Sequence, residues 1–208
     1  MNAEVLSLDF TGTIMTMDMI DHFWNEAIPR HYAEENGVPV DRAKEKIQRE
    51  YDEIGPRDLK WYLPKYWLDR FGLKVSMDVL LEESWHMVKV YRDAEKALPI
   101  LTKNYKVIIV SNASKEFIEF FLKKKGFKIY KVFSTVSDLG VLSKLPQVYK
   151  YISKELKTES ILHVGDDFVQ DYLNPRMAGL NSLLLNREAS ESREKDVITS
   201  LEELLVTL

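Results

Sequence analysis

Three short apolar runs in this 208-residue chain end in residues able to do chemistry: Val5 to Leu8 leads to Asp9, Val107 to Val110 to Ser111, and Ile161 to Val164 to Gly165-Asp166-Asp167. A carboxylate is ionised at neutral pH and can attack phosphorus in line or hold a hard cation, while a hydroxyl can donate to an oxyanion. Taken singly, each acid reads as a turn former or a helix cap. Together they read differently, because ligands of a parallel sheet collect beyond the carboxyl ends of its strands. Several anions on one such edge repel each other unless a cation sits among them, and an all-oxygen set suits magnesium.

The elements that must position these residues follow from the pattern. Two further runs, Val132 to Val136 and Ser182 to Leu185, share the aliphatic, β-branched content of strands buried on both faces. Between runs, Glu116 to Lys125 and Gln147 to Leu156 carry apolar residues three and four apart, as amphipathic helices do. Strand alternating with helix predicts an α/β fold, a Rossmann-like parallel sheet with helices on both faces. One interval breaks the alternation. About a hundred residues without a strand-like run separate the first two strands, and all four tryptophans (Trp24, Trp61, Trp67, Trp85) fall there. Ile20 to Asn36 and Asp58 to Phe71 read as helices, punctuated by Gly37, Pro39, Gly55, Pro56 and Gly72. The expected organisation is a core of residues 1–13 and 93–208 interrupted by a helical insertion of residues 14–92.

Leu6 to Thr13, LSLDFTGT, resembles the first motif of the haloacid dehalogenase-like superfamily, an aspartate nucleophile followed two residues later by Asp or a substitute and then Gly-Thr. The remaining motifs are similar in kind and order: VIIVS ending at Ser111, SKLPQVY with Lys144, and HVGDDFVQDYLNPRMAGL from His163. The insertion after the first motif is similar to the cap of one subgroup. The resemblance implies Asp9 as nucleophile, with Asp9, the Thr11 backbone carbonyl and Asp166 as magnesium ligands and Asp171 as their support. It also implies that Ser111, the Asn112 backbone amide and Lys144 hold a transferring phosphoryl group, whose charge needs fixed donors and a cation. Gly12 would let the chain turn beneath the phosphate. His163 reads as a strand residue, and Asp167 stands where a small polar residue is commoner.

One departure bears on the chemistry. Most phosphatases of that superfamily carry an acid at the position of Thr11, and a threonine hydroxyl titrates too high to donate a proton near neutrality. General acid–base catalysis contributes about 10² to 10⁴ in rate, or about 3 to 5 kcal/mol. The expected function is therefore a magnesium-dependent phosphohydrolase forming an aspartyl phosphate and favouring leaving groups that need no proton. The alternatives are a haloacid dehalogenase-type hydrolase and a catalytically degenerate binding protein on the same fold.

Composition narrows the partners. With 29 basic against 33 acidic residues the formal net charge is −4, which lacks the electrostatic footprint for nucleic acid or anionic lipid. Zero cysteines exclude disulfides, thiolate metal ligands and a cysteine nucleophile. MNAEVLSLDF does not read as a signal peptide, and no apolar run is long enough for a membrane span. The expectation is a cytoplasmic protein, monomer or homodimer, acting on a small phosphorylated molecule.

Overall fold

The computed structural model describes residues 3–189 and 196–207. The chain divides into two units, Met1–Thr16 with Val90–Leu208, and Met17–Lys89. The strand β1 (Val5–Leu8) leads into the second unit, which is helical: α1 (Asp18–His22), α2 (Ile28–Asn36), α3 (Val40–Ile54), α4 (Pro64–Phe71) and α5 (Met77–Ser84). A π-helical turn, Phe23–Ala27, joins α1 to α2, so the expected single helix over Ile20 to Asn36 is a helix with a widened turn inside it. The helix α3 shows three buried residues, Ala43, Ile47 and Tyr51, spaced four apart on an otherwise charged cylinder. That stripe and α4 supply the unit's aromatic centre: the Tyr51 and Trp67 rings meet edge to face at 4.6 Å, and Trp67 stacks on Phe71 at 5.4 Å. Among the tryptophans only Trp67 is fully buried, whereas Trp24, Trp61 and Trp85 are partly exposed.

Among the described residues the first unit holds a six-stranded, wholly parallel sheet in the order β3-β2-β1-β4-β5-β6, built from β1, β2 (Lys106–Ser111), β3 (Lys131–Ser134), β4 (Ile161–Gly165), β5 (Asn181–Leu185) and β6 (Val197–Ile198). Its helices are α6 (Arg92–Asn104), α7 (Lys115–Lys125), α8 (Pro146–Leu156), α9 (Asn174–Met177) and α10 (Leu204–Thr207). Every residue of β1 is buried, as a central strand with neighbours on both sides and helices on both faces requires. The helix α8 contributes Val148, Tyr149 and Ile152 to a cluster with Val5, Ile108, Val110, Phe133, Ile161 and Leu180. Near α7, Phe10 meets Phe121 edge to face at 5.2 Å. Met15 forms an antiparallel bridge with Val90, and the Tyr91 amide donates to the Ile14 carbonyl at 3.1 Å, so the outgoing and returning strands of chain are stitched together at the start of the insertion.

Register sets the site. Leu8 pairs with Ile109 on one side and Val164 on the other, and the Asp9 amide donates to the Val164 carbonyl at 3.0 Å. Asp9, Ser111 and Gly165-Asp166 therefore leave the sheet from three adjacent strands at its carboxyl edge.

Candidate active site at the carboxyl edge of the sheet

Lys144 is the hub of this edge. Its ammonium lies 2.8 Å from Asp9 Oδ1 and 2.5 Å from Asp171 Oδ1, and all three side chains are buried. Asp166 is more exposed and accepts from the Thr13 hydroxyl at 3.3 Å. One oxygen each of Asp9, Asp166 and Asp171 falls within 4.8 Å of the others. Three carboxylates thus face a single ammonium, and the imbalance shifts their proton affinities. Burial pushes the Asp9 carboxyl up to about 7, with Asp171 adding repulsion and Lys144 pulling the other way. Burial and the Asp171 charge also raise Asp166. For Asp171 burial is outweighed: Lys144 and a hydrogen bond from His163 hold its carboxyl below the usual range. Lys144, despite its own burial, is held above the usual lysine range by Asp9 and Asp171. A further divalent cation among hard oxygen donors would relieve what Lys144 alone leaves uncompensated, so the residues present fit magnesium.

Two glycines make room for these acids. Gly12 has φ +81°, and a Cβ there would fall 2.3 Å from Asp166 Oδ2. A Cβ on Gly165 would fall 2.4 Å from Asp171 Cγ. Both carboxylates therefore rest on bare backbone, and Gly12 lies against Asp166.

The fourth segment places its acids in different roles. Asp167 Oδ1 accepts from the Val169 and Gln170 amides at 2.9 and 2.7 Å, capping a π-helical turn over Phe168–Leu173. Its side chain is spent on the turn. Asp171, one turn on, points inward, with Oδ2 accepting from the Asp167 amide at 3.1 Å. Asn174 is the first residue of α9, and its side-chain Nδ2 donates to the Lys144 carbonyl at 2.9 Å; it does not cap a helix.

Ser111 is buried, its hydroxyl accepting from the Ala113 amide at 3.3 Å. The Asn112 side chain is fixed at both ends, accepting from the Thr135 hydroxyl at 2.9 Å and donating to Gln170 Oε1 at 2.8 Å. Thr11 is partly exposed beside this edge.

Further residues here lie outside the sequence-based set. His163 is fully buried; its Nε2 lies 2.9 Å from Asp171 Oδ1 and its Nδ1 2.7 Å from the Ser7 hydroxyl. Burial lowers its pKa against the pull of Asp171, so a neutral imidazole donating from Nε2 and accepting at Nδ1 satisfies both contacts. Tyr149 donates to the Gln170 carbonyl at 2.7 Å. Arg187 donates to the Gly12 and Thr13 carbonyls, each at 2.7 Å, and pairs with Asp93, holding the turn after β1 from outside. Ser7 and His163 face each other in the β1–β4 register, which is the one sequence-level sign of their pairing.

Comparisons with known proteins bear on the fold and the family. The GMP/IMP nucleotidase YrfG of Escherichia coli (strain K12) is 27% identical over 74 residues, covering 36% of this chain and 33% of that protein, so the match spans a third of the relative's length. The crystal structure of a HAD phosphatase from Thermococcus onnurineus superposes with a TM-score of 0.74 at 24% identity, covering 98% of this chain and 97% of the other. A 2-haloacid dehalogenase from Pseudomonas syringae pv. Tomato DC3000 superposes with a TM-score of 0.64 at 18% identity, covering 99% and 97%. The last two share the fold with this chain. Residues 4–179 match the family described as haloacid dehalogenase-like hydrolase, a span that takes in Asp9, Ser111, Lys144 and Asp166, and the chain belongs to that family.

Proposed function

We propose that this protein is a magnesium-dependent phosphohydrolase that acts on small phosphorylated molecules through an aspartyl phosphate formed on Asp9, and that it favours leaving groups departing without a proton. The observation that carries this reading is the buried Lys144 ammonium set between Asp9 and Asp171 at the end of the central strand. The nucleotidase named above, similar over part of the chain, supports a phosphorylated substrate.

In this reading Asp9, the Thr11 carbonyl and Asp166 hold the cation, and Asp171 supports them. Bound magnesium supplies charge neutralisation for the phosphoryl oxygens and for the acids. Asp9 attacks phosphorus in line, the bond from phosphorus to the leaving oxygen breaks, and the leaving group keeps the electron pair. Ser111, the Asn112 amide and Lys144 carry the charge spread over the phosphoryl oxygens. Water then attacks phosphorus, the bond from phosphorus to the Asp9 oxygen breaks, and the phosphate leaves carrying the protons of the water, with the carboxylate restored. Lacking an acid at position 11, the site handles acyl phosphates, anhydrides and activated aryl phosphates better than alkyl phosphates. The helical insertion acts as the cap that selects the substrate, and the protein works in the cytoplasm as a monomer or homodimer.

A screen of phosphorylated metabolites and acyl phosphates, run with magnesium and again with chelator, tests this. Turnover that requires magnesium and ranks acyl above alkyl phosphates is expected. Halide release from a chlorinated acid in chelator, with no phosphate release in magnesium, would replace this reading with the dehalogenase one.

A further inference from the structure

Gln170 gathers the polar contacts of three separate segments. Its Oε1 accepts from Asn112 Nδ2 at 2.8 Å, from the Ser143 hydroxyl at 2.8 Å and from the Lys144 amide at 3.2 Å. Its Nε2 donates to Asp167 Oδ2 at 3.2 Å, and its carbonyl accepts from Tyr149 at 2.7 Å. Four residues on, Asn174 donates to the Lys144 carbonyl at 2.9 Å. The backbone on both sides of Lys144 is therefore held by side chains of one short helical segment, while the rest of the Lys144 loop runs without regular structure between β3 and α8.

We infer that Gln170 and Asn174 are positioning residues: they clamp the Lys144 peptide and the Asn112 side chain, so that the phosphoryl-holding groups of two loops keep one mutual geometry. The consequence rests on the phosphohydrolase reading, but the clamp itself does not. A side-chain carbonyl serving three donors is a demanding arrangement, because an apolar replacement orphans all three at once. Lys144 reaches two buried acids from a loop, and a displacement of about 1 Å there costs about 10²-fold in rate. Losing a supporting partner of a site costs about 10- to 100-fold.

The test uses Gln170→Leu, which removes the acceptor, the milder Gln170→Asn, which is too short to serve three donors, and Asp167→Asn/Gln170→Glu. The double variant reverses the donor and acceptor between positions 167 and 170. The new carboxylate accepts from Asn112, Ser143 and Lys144, the new amide nitrogen at 167 donates to it, and the one side-chain oxygen left at 167 keeps the cap. Two readouts are taken on folded protein: amide hydrogen exchange at Lys144, and kcat and KM on an acyl phosphate with magnesium. Gln170→Leu, or Gln170→Asn if the first does not fold, should lose protection at the Lys144 amide and lower kcat about 10- to 100-fold with KM changed much less. The double variant should restore both. Wild-type exchange and turnover in the Leu or Asn variant would overturn the clamp, as would a folded double variant that restores neither. A wild-type protein that turns nothing over would sink the phosphohydrolase reading and leave exchange at Lys144 to decide the clamp.

Discussion

Lys144 Nζ sits 2.8 Å from Asp9 Oδ1 with both side chains removed from water, so the charge of the candidate nucleophile is countered by a residue 135 positions further along the chain. Burial raises Asp9 to about 7 even with this partner, because Asp171 draws on the same ammonium. The free-acid form of Asp9 is thus populated near neutrality in the cation-free protein, and ionising it fully takes further positive charge.

From this follows a pH-dependent response to metal. Asp9 has a folded-state pKa of about 7, above its ordinary 3.8, so the folded protein binds more protons than the unfolded chain between those values. Its contribution to stability is complete below about pH 4 and is lost as pH rises through about 7. Magnesium binding requires the ionised form and opposes that loss. The increase in melting temperature on adding magnesium should therefore be larger at pH 8 than at pH 6, and a titration at both values checks it. An equal shift, or none, would contradict the assigned site.

Replacing Lys144 by methionine leaves Asp9 and Asp171 buried without their cation. Breaking a buried ion pair by removing one partner costs about 3 to 5 kcal/mol. Urea unfolding at pH 8 should show a loss of that order. The loss should shrink at pH 5, where protonation relieves the two acids, and shrink also with added magnesium.

Gly12→Ala tests the seat of Asp166. The new methyl would stand 2.3 Å from a carboxylate oxygen at a backbone φ of +81°, so the turn or Asp166 must move. Beyond about 1 kcal/mol of destabilisation, the variant should lose the magnesium-dependent rise in melting temperature. Gly37→Ala, also at positive φ but with no neighbour within 4 Å, should share the strain and keep the metal response.

Thr11→Asp should raise turnover on an alkyl phosphate with magnesium present, toward the about 10² or more that a positioned acid contributes. Steady-state rates on an alkyl and an acyl phosphate measure it. A gain confined to the alkyl substrate is expected. Unchanged or lower alkyl turnover, with folding intact, would count against a missing proton donor.

Much of the fold is legible because buried parallel strands write themselves as apolar runs. Val5 to Leu8 is β1 residue for residue, and the runs leading to Ser111, Gly165 and Leu185 each differ from their strands by one residue at an end or by one at each end. What escapes has a physical cause. β6 is two residues long, too short to carry periodicity. The helix α3 buries one residue per turn, so its composition reads as charged chain between Pro39 and Gly55. In the site, residues that end strands announce themselves by position, whereas His163 inside β4 has the register of an ordinary strand residue. Its partners Ser7 and Asp171 are brought to it by sheet pairing and by a widened helical turn. Asp167 and Asp171 look interchangeable in GDDFVQD; local geometry separates them, one turned back on the amides ahead of it and the other inward to Lys144. Gln170 and Arg187 act through contacts with distant loops, which no spacing along the chain encodes.

The central claim is covalent, and trapping the adduct tests it most directly. Protein mixed with an acyl phosphate labelled at phosphorus, with magnesium present, and then quenched in acid should carry phosphate on the peptide containing Asp9. Hydroxylamine should remove it as it does an acyl phosphate, and Asp9→Asn should carry none. Turnover without any acid-stable label, or equal labelling of Asp9→Asn, would contradict phosphoryl transfer through this aspartate.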